Sequence, residues 1–316
     1  MSKVLILVMP CYNEEEVLEE TARQAQAKLR ELMGQGRISK DSRILFVDDG
    51  SRDRTWALIT SLYEQPDSLV CGLKLAHNRG HQKALYAGLM AAREMGEASV
   101  SMDADLQDDL SVLDGFLDAW EDGCEIVYGV RKSRETDTFF KRSTALAFYR
   151  LMRGMGADIV ENHADCRLMT RKAMEALAGY REVNLFLRGI VPDIGYKTAI
   201  AYYDRNPRFA GESKYPLKKM LMFAWDGITS FSVKPLKLIS QTGFLMFFVS
   251  IAALIYALAS KIQGSAVSGW TALIGSVWLI GGAVMISLGI LGEYLGKLYQ
   301  EVKDRPRYLE EVLLKK

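Results

Sequence analysis

Ala98-Ser99-Val100-Ser101-Met102 runs directly into Asp103-Ala104-Asp105-Leu106-Gln107. The first five residues are small, apolar and β-compatible, which predicts a short buried strand that breaks into a loop at the acids. In an extended backbone, residues two apart point the same way. Asp103, Asp105 and Gln107 then share one side and offer two carboxylates and an amide carbonyl, hard oxygen donors suited to Mg²⁺ or Mn²⁺. Two acids at a strand's carboxyl end are costly together without a cation or solvent to offset them. A solvated acidic turn fits the same residues, since Asp108 and Asp109 follow. The rest of the chain has to decide between the two.

Upstream, strand and helix patterns alternate. Lys3–Met9 (KVLILVM) is a continuous apolar run, expected as a central strand of a parallel sheet. Pro10-Cys11-Tyr12-Asn13-Glu14-Glu15 ends it and opens a helix to about Met33, with Asn13 as the expected N-cap and acids at the helix's positive end. Arg43–Val47 is a second strand, Asp48-Asp49-Gly50-Ser51 a turn, and Ser51 or Asp53 the cap of a helix through Tyr63. Leu69–Leu75 is a third strand, and the polar loop Asn78-Arg79-Gly80-His81-Gln82 opens a helix over Lys83–Met95. After the acids come a helix over about Leu110–Glu121 and a strand at Glu125–Gly129. This alternation predicts a doubly wound α/β domain with a mostly parallel sheet, whose ligands bind outside the carboxyl ends of the strands. All four polar clusters fall there. No Gly-x-Gly-x-x-Gly follows the first strand and no Gly-Lys-Ser/Thr phosphate loop is present, which argues against a dinucleotide dehydrogenase and an ATPase.

Downstream the pattern turns polar and helical. Phe139–Gly154 reads as an amphipathic helix carrying Arg142, and Arg171–Gly179 as another helix. His163–Leu168 is a short polar-to-apolar segment, Phe186–Ile190 is apolar around Arg188, and Lys197–Tyr203 is a strand. Leu217–Ile239 reads as interfacial amphipathic helix, its lysines at headgroup level. Thr242–Ser260 and Ile262–Gly292 then hold no charged residue, and each supplies the roughly 20 apolar residues of a spanning helix. The expectation is a transmembrane hairpin, about Thr242–Ile262 and Trp270–Leu291. Lys234 and Lys237 before it, and Lys297, Lys303, Arg305 and Arg307 after it, place both ends in the cytoplasm.

The 316 residues carry a net charge of +1, which gives no argument for a nucleic-acid partner. Four scattered cysteines without ligand spacing read as packed, reduced thiols. Val4–Val8 is too short for the apolar core of a signal peptide.

Four motifs in order resemble one family. They are Pro10-x-Tyr12-Asn13-Glu14, Val47-Asp48-Asp49-Gly50-Ser51-x-Asp53, Asp103-Ala104-Asp105-Leu106-Gln107 and Arg208-x-x-Gly211-x-Ser213-Lys214-Tyr215. The family is the inverting GT-A glycosyltransferases of the polyprenyl-phosphate class, which includes the dolichol-phosphate mannose synthases. Leu291-Gly292-Glu293-Tyr294-Leu295-Gly296-Lys297-Leu298-Tyr299 and Arg305-Pro306-x-Tyr308 are similar to the bacterial branch with two C-terminal membrane helices, the undecaprenyl-phosphate glucosyltransferases. One departure is Asp108-Asp109-Leu110, where many members carry prolines.

The resemblance implies a Rossmann-like GT-A domain over 1–215, interfacial helices over 216–240, two membrane helices over 241–295 and a cytoplasmic tail over 296–316. It implies a UDP-sugar donor, with glucose or N-acetylglucosamine both open, and a polyprenyl phosphate acceptor at the cytoplasmic face of the inner membrane. Tyr12 is expected to stack on the uracil and Glu14 and Asp49 to bond its edge or the ribose. Pro10 and Ala104 complete that set, and Lys83 reaches the diphosphate. Asp103 meets the ribose and metal, with Asp105 and Gln107 as further metal ligands for Mg²⁺ or Mn²⁺. Arg131, Arg142, Arg208 and Lys214, with the Ser213 hydroxyl, are expected on the acceptor phosphate. Arg131, Arg208 and Asp105 are also expected to be catalytic, and Asp165 is the candidate base if one exists. Relatives being oligomers implies a homo-oligomer, a tetramer by resemblance, in a lipid membrane. A processive polysaccharide synthase is disfavoured, because no Gln-x-x-Arg-Trp is present. A catalytically silent scaffold remains the reading from another class.

Overall fold

Apolar runs set the strands. The computed structural model describes residues 3–131, 163–183, 185–203, 234–262 and 269–316. Strand β1 (Leu5–Cys11) is followed by α1 (Leu18–Gly34), β2 (Arg43–Asp48), α2 (Thr55–Glu64), β3 (Val70–Leu75), α3 (His81–Met95) and β4 (Ala98–Ser101). The first turn of this right-handed winding pairs β1 with β2, β2 with β3 and β1 with β4, all parallel. Leu5, Ile6, Leu7 and Val8 are all fully buried, as a strand covered on both faces requires, and each such side chain contributes about 1.5–3 kcal/mol. Helix α3 lies close on this strand pair. A Cβ at Gly88 would stand 2.5 Å from Val8 Cγ1 and 2.7 Å from Val47 Cγ2, so only glycine permits the approach.

The second half interrupts the parallel pattern. After α4 (Val112–Glu121) and β5 (Ile126–Arg131), strand β6 (His163–Thr170) enters between β4 and β5, antiparallel to both. Helices α5 (Arg171–Ala178) and α6 (Leu187–Asp193) follow, then β7 (Thr198–Tyr203), parallel to β5 at the sheet's edge. Helices α7 (Lys234–Ile262) and α8 (Trp270–Val302) come next, and β8 (Glu310–Leu314) closes the opposite edge, antiparallel to β3. The sheet order is thus β7-β5-β6-β4-β1-β2-β3-β8. Strand β8 has no counterpart in the sequence reading, which treats everything after 296 as tail. It covers the N–H and C=O row that β3 would otherwise expose.

Because β6 runs against its neighbours, its first residues lie at the carboxyl ends of β4 and β5. Val130 faces His163, and Ser101 faces Arg167. The carboxyl rim therefore collects the loops after β1, β2, β3 and β4, the start of β6 and the ends of β5 and β7.

The described residues form two compact units. One holds the sheet, its flanking helices and Arg305–Lys316; the other holds α7 and α8. Within α8, the 24 residues Leu279–Val302 contain an 18-residue window of mean hydropathy 1.6 with none of it buried, long and apolar enough to cross a membrane. It is the one such helix found among the described residues. It lies further along the chain than the expected Trp270–Leu291.

Candidate active site

The first three rim loops are locked to one another by backbone N–H groups. Asn13 is no N-cap: α1 starts later, at Leu18, and Asn13 adopts a left-handed φ of 54°. Its N–H donates to Ser51 Oγ at 3.0 Å, and its Oδ1 accepts from the Arg52 N–H at 2.9 Å. Ser51 is therefore engaged with the β1 loop, and the start of α2 is served by Asp53, whose Oδ1 accepts from the Thr55 N–H at 3.0 Å. Glu14 donates its N–H to Thr55 Oγ1 at 2.9 Å. Tyr12, just past β1, leaves 41% of its surface exposed on the rim, and Pro10 lies within β1 opposite Val47.

Asp49 differs from its expected part. It is 3% exposed, and its two oxygens accept from the N–H groups of Arg79 at 2.7 Å and Gly80 at 2.8 Å. Burial raises its carboxyl above the usual range, and these two bonds offset only part of the rise. Its visible work is to fasten the loop before α3. Gly50 beside it has φ 67°, and a Cβ there would stand 2.7 Å from the Asn78 nitrogen, so the two loops meet through a glycine.

The acidic loop is not the extended run that alternation predicts. Strand β4 ends at Ser101, and Leu106 takes a left-handed φ of 57°. The Gln107 N–H folds back to Asp105 Oδ1 at 3.2 Å. Ala104 is buried, and its carbonyl accepts from Thr21 Oγ1 at 2.8 Å, which pins the loop to α1. Gln107 and Asp108 are buried as well, and Asp108 Oδ1 accepts from the Tyr203 hydroxyl at 2.7 Å, tying the loop to the end of β7. Asp103 keeps 41% side-chain exposure. Burial raises its carboxyl to about 6; the charge of His81 opposes this, and Asp108, Asp165 and Asp105 add to it.

Asp165, at the start of β6, is the hub of the neighbouring cluster. Its Oδ1 meets Arg167 Nη2 at 2.9 Å and Arg188 Nε at 3.2 Å, and its Oδ2 meets Arg188 Nη2 at 3.2 Å and His81 Nε2 at 3.4 Å. Gln82 Nε2 adds a long contact at 3.5 Å. Burial favours the protonated carboxyl, but His81, Arg188 and Arg167 outweigh it and hold Asp165 well below the usual carboxylate range. His81 also faces Asp103 Oδ1 at 3.8 Å, so it bridges the two acids. Burial pulls its imidazolium down, and the bond to Asp165 with the charge of Asp103 more than restores it.

His81, Gln82, Arg167 and Arg188 are the residues that sequence reasoning did not place in the site. The polar loop at 78–82 was the available signal for the first two. Lys83, the third residue of α3, is half-buried on the same rim. Arg131 ends β5 on the rim opposite Tyr203, its backbone alone being described. Arg142, Arg208, Ser213 and Lys214 lie outside the described residues.

Among the described residues no three Asp, Glu, His or Cys side chains converge as a ready-made metal cluster. Asp103 and Asp105 nonetheless place like charge together: burial is the main cause of the raised Asp103 carboxyl, and Asp108, Asp165 and Asp105 add to it against the charge of His81. The two carboxylates suit an ion such as Mg²⁺ that keeps waters and takes its other ligands from substrate phosphates, whereas Gln107 is buried and set off from them by the left-handed Leu106.

A mostly parallel sheet, with one antiparallel strand entering at its carboxyl rim and acids gathered on that rim, makes a GT-A-like α/β fold. The family model described as "Glycosyl transferase family 2" matches residues 6–178. The glycosyltransferase YkoT of Bacillus subtilis (strain 168) is 54% identical over 309 residues, covering 98% of this chain and 91% of that protein. The prophage bactoprenol glucosyl transferase homolog of Escherichia coli (strain K12) is 38% identical over 311 residues, covering 96% of this chain and 97% of that protein. Among solved structures, the mannosyltransferase PcManGT from Pyrobaculum calidifontis in complex with GDP-Man and Mn²⁺ aligns at 16% identity and TM-score 0.43, over 97% of this chain and 89% of that one. The chain belongs to glycosyl transferase family 2 and is a glycosyltransferase.

Proposed function

We propose that this enzyme moves a hexose, glucose or N-acetylglucosamine, from a UDP-sugar to a polyprenyl phosphate at a membrane surface, with inversion. The observation that carries this reading is the rim itself: an exposed tyrosine, an acidic loop with the Asp103 carboxyl open to the rim, and a cation-held acid, all at the carboxyl ends of one sheet. Relatives called bactoprenol glucosyl transferases, matched over nearly the full chain, support the lipid acceptor.

In this reading Tyr12 offers its ring to the base and Glu14 lies beside it. Asp103 and Asp105 would hold Mg²⁺ or Mn²⁺, which when bound supplies charge neutralisation for the diphosphate leaving group. The acceptor's second phosphate pKa is near 6, so at neutral pH it is largely a dianion and needs little help from a base. Asp165 suits that economy. Held by two arginines and a histidine, it is a weak proton acceptor, and it acts by fixing Arg188 and His81 toward the sugar and phosphate. Arg131, with Arg142, Arg208, Ser213 and Lys214, stays assigned to the acceptor phosphate. Direct in-line attack on the anomeric carbon then rests on positioning and charge.

The membrane part of the proposal is a hairpin of α7 and α8. Strand β8 pairs with β3 although α7 and α8 lie between the sheet's main body and β8 in the chain. If α8 crosses, the chain must cross an even number of times for β8 to return to its own sheet, and α7 has the length to do so. Lys234, Lys237, Lys297, Lys303, Arg305 and Arg307 then favour the cytoplasm for both ends.

The test is direct. Purified full-length protein is given undecaprenyl phosphate and a panel of radiolabelled UDP-sugars with Mg²⁺ or Mn²⁺, and organic-extractable label is counted. Transfer from one UDP-hexose is the expected result. No lipid-linked label from any donor contradicts the reading.

A further inference from the structure

The Arg305-Pro306-x-Tyr308 motif follows α8 and is left without a task by the site described above. Its position is fixed by β8. Glu310 lies opposite Leu75, and the Ala76 N–H donates to the Leu309 carbonyl at 2.9 Å. Because β8 runs antiparallel to β3, the residues just before it lie at β3's carboxyl end, the side on which ligands bind in such sheets.

There Arg307 is held firmly. Its guanidinium lies 4.7 Å from the Tyr86 ring centroid, and Nη2 donates to the Tyr180 carbonyl. Tyr308 meets Tyr86 edge-on at 6.2 Å. Tyr86 is three residues beyond Lys83 on α3, so the two share a helix face, and Arg79 lies in the loop just before the helix, its charge acting on Lys83. Among the described residues none of Arg79, Lys83 and Arg307 enters an ion pair, and Arg79 Nε is buried without a hydrogen-bond partner. Some basic groups of the same unit are held by acids, Arg37 by Asp114, Asp118 and Glu121, and Arg167 by Asp165. Burial, and then the nearby charges of Arg79 and Arg307, pull Lys83 below its ordinary range.

We propose that Arg79, Lys83 and Arg307 form one phosphate-binding seat, so that the segment after α8 supplies a ligand-binding arginine to the rim. The ligand chemistry is a phosphate oxyanion beside a guanidinium fork. It can come from the diphosphate of the nucleotide donor or from the phosphate of the lipid acceptor. This rests on the proposed transferase reading for the names of those two sources, but the binding itself is read without turnover.

The experiment uses the full-length protein in detergent with Mg²⁺. Binding of UDP, uridine and pyrophosphate is measured by calorimetry, and the KM for undecaprenyl phosphate by transfer. The variants are Arg307→Gln, Arg307→Lys and, as a remote control, Lys316→Ala. Arg307→Gln is expected to weaken UDP and pyrophosphate by about tenfold or more and to leave uridine unchanged. Arg307→Lys should recover part of the loss, and Lys316→Ala should match wild type. An equal rise in the lipid KM with UDP unchanged also supports the seat and assigns it to the acceptor. Unchanged UDP, pyrophosphate and lipid values in a folded Arg307→Gln protein overturn it. If that variant does not fold, Lys83→Gln carries the same expectation and the same refutation. Arg307-dependent UDP binding in a wild-type protein that transfers no sugar to polyprenyl phosphate would retire the proposed acceptor and keep the seat.

Discussion

Asp49 and Asp103 stand on the same rim, each just past the end of a buried parallel strand, and the fold treats them in opposite ways. Asp49 is sealed in, and both its oxygens take backbone N–H groups from the loop before α3. Asp103 looks outward, meets only His81 at 3.8 Å among the ion pairs described, and is crowded by Asp105, Asp108 and Asp165. One acid completes a loop. The other leaves its carboxyl open to the rim. A strand-end aspartate thus takes its role from the groups it meets, which its position in a motif does not reveal.

Four substitutions bear on this contrast. Asp105→Ala should lower sugar transfer about a thousandfold while leaving the unfolding midpoint within a degree or two of wild type, measured by transfer assay and thermal melt. A large loss of stability would make the acidic loop structural, as Asp49 is. Arg167→Met should cost about 3–5 kcal/mol in denaturant unfolding, because Arg167 is 1% exposed and its loss leaves Asp165 buried with less compensation. Asp49→Asn should cost about 1–3 kcal/mol, since an amide offers one acceptor where two N–H groups need one each. If Asp49→Asn instead keeps its stability and loses UDP binding, Asp49 belongs with Asp103 after all. Glu311→Ala breaks the exposed pair with Lys74 and should cost no more than about 0.5 kcal/mol, a check that rim effects are not general surface effects.

The first half of the fold was legible because it is local. Each of β1, β2 and β3 is an apolar run, and the helices between them repeat at helical spacing, so the parallel winding follows from the pattern. The antiparallel entry of β6 was not, since His163–Leu168 is short and its partners β4 and β5 are distant in the chain. Strand β8 was hidden for the same reason: Glu310–Leu314 looks like a charged tail until β3 is beside it. At the site, the residue types on the rim were readable, and the geometry was not. Asn13 reads as a cap by type, yet its left-handed backbone turns it to Ser51 and Arg52. Alternation put Asp103, Asp105 and Gln107 on one side, and the positive φ of Leu106 breaks that alternation. Arg188 stands alone as a charge in an apolar run, and its partner Asp165 is distant in the chain.

The central claim is that the acidic loop takes up a cation together with the donor. Calorimetric titration of UDP into wild type and Asp103→Asn, each with and without Mn²⁺, tests it most directly. Wild type is predicted to bind UDP at least about tenfold more tightly with Mn²⁺ than without, and Asp103→Asn to lose that difference while melting no lower than wild type. An Asp103→Asn protein that keeps the full Mn²⁺-dependent gain in UDP affinity would contradict the account.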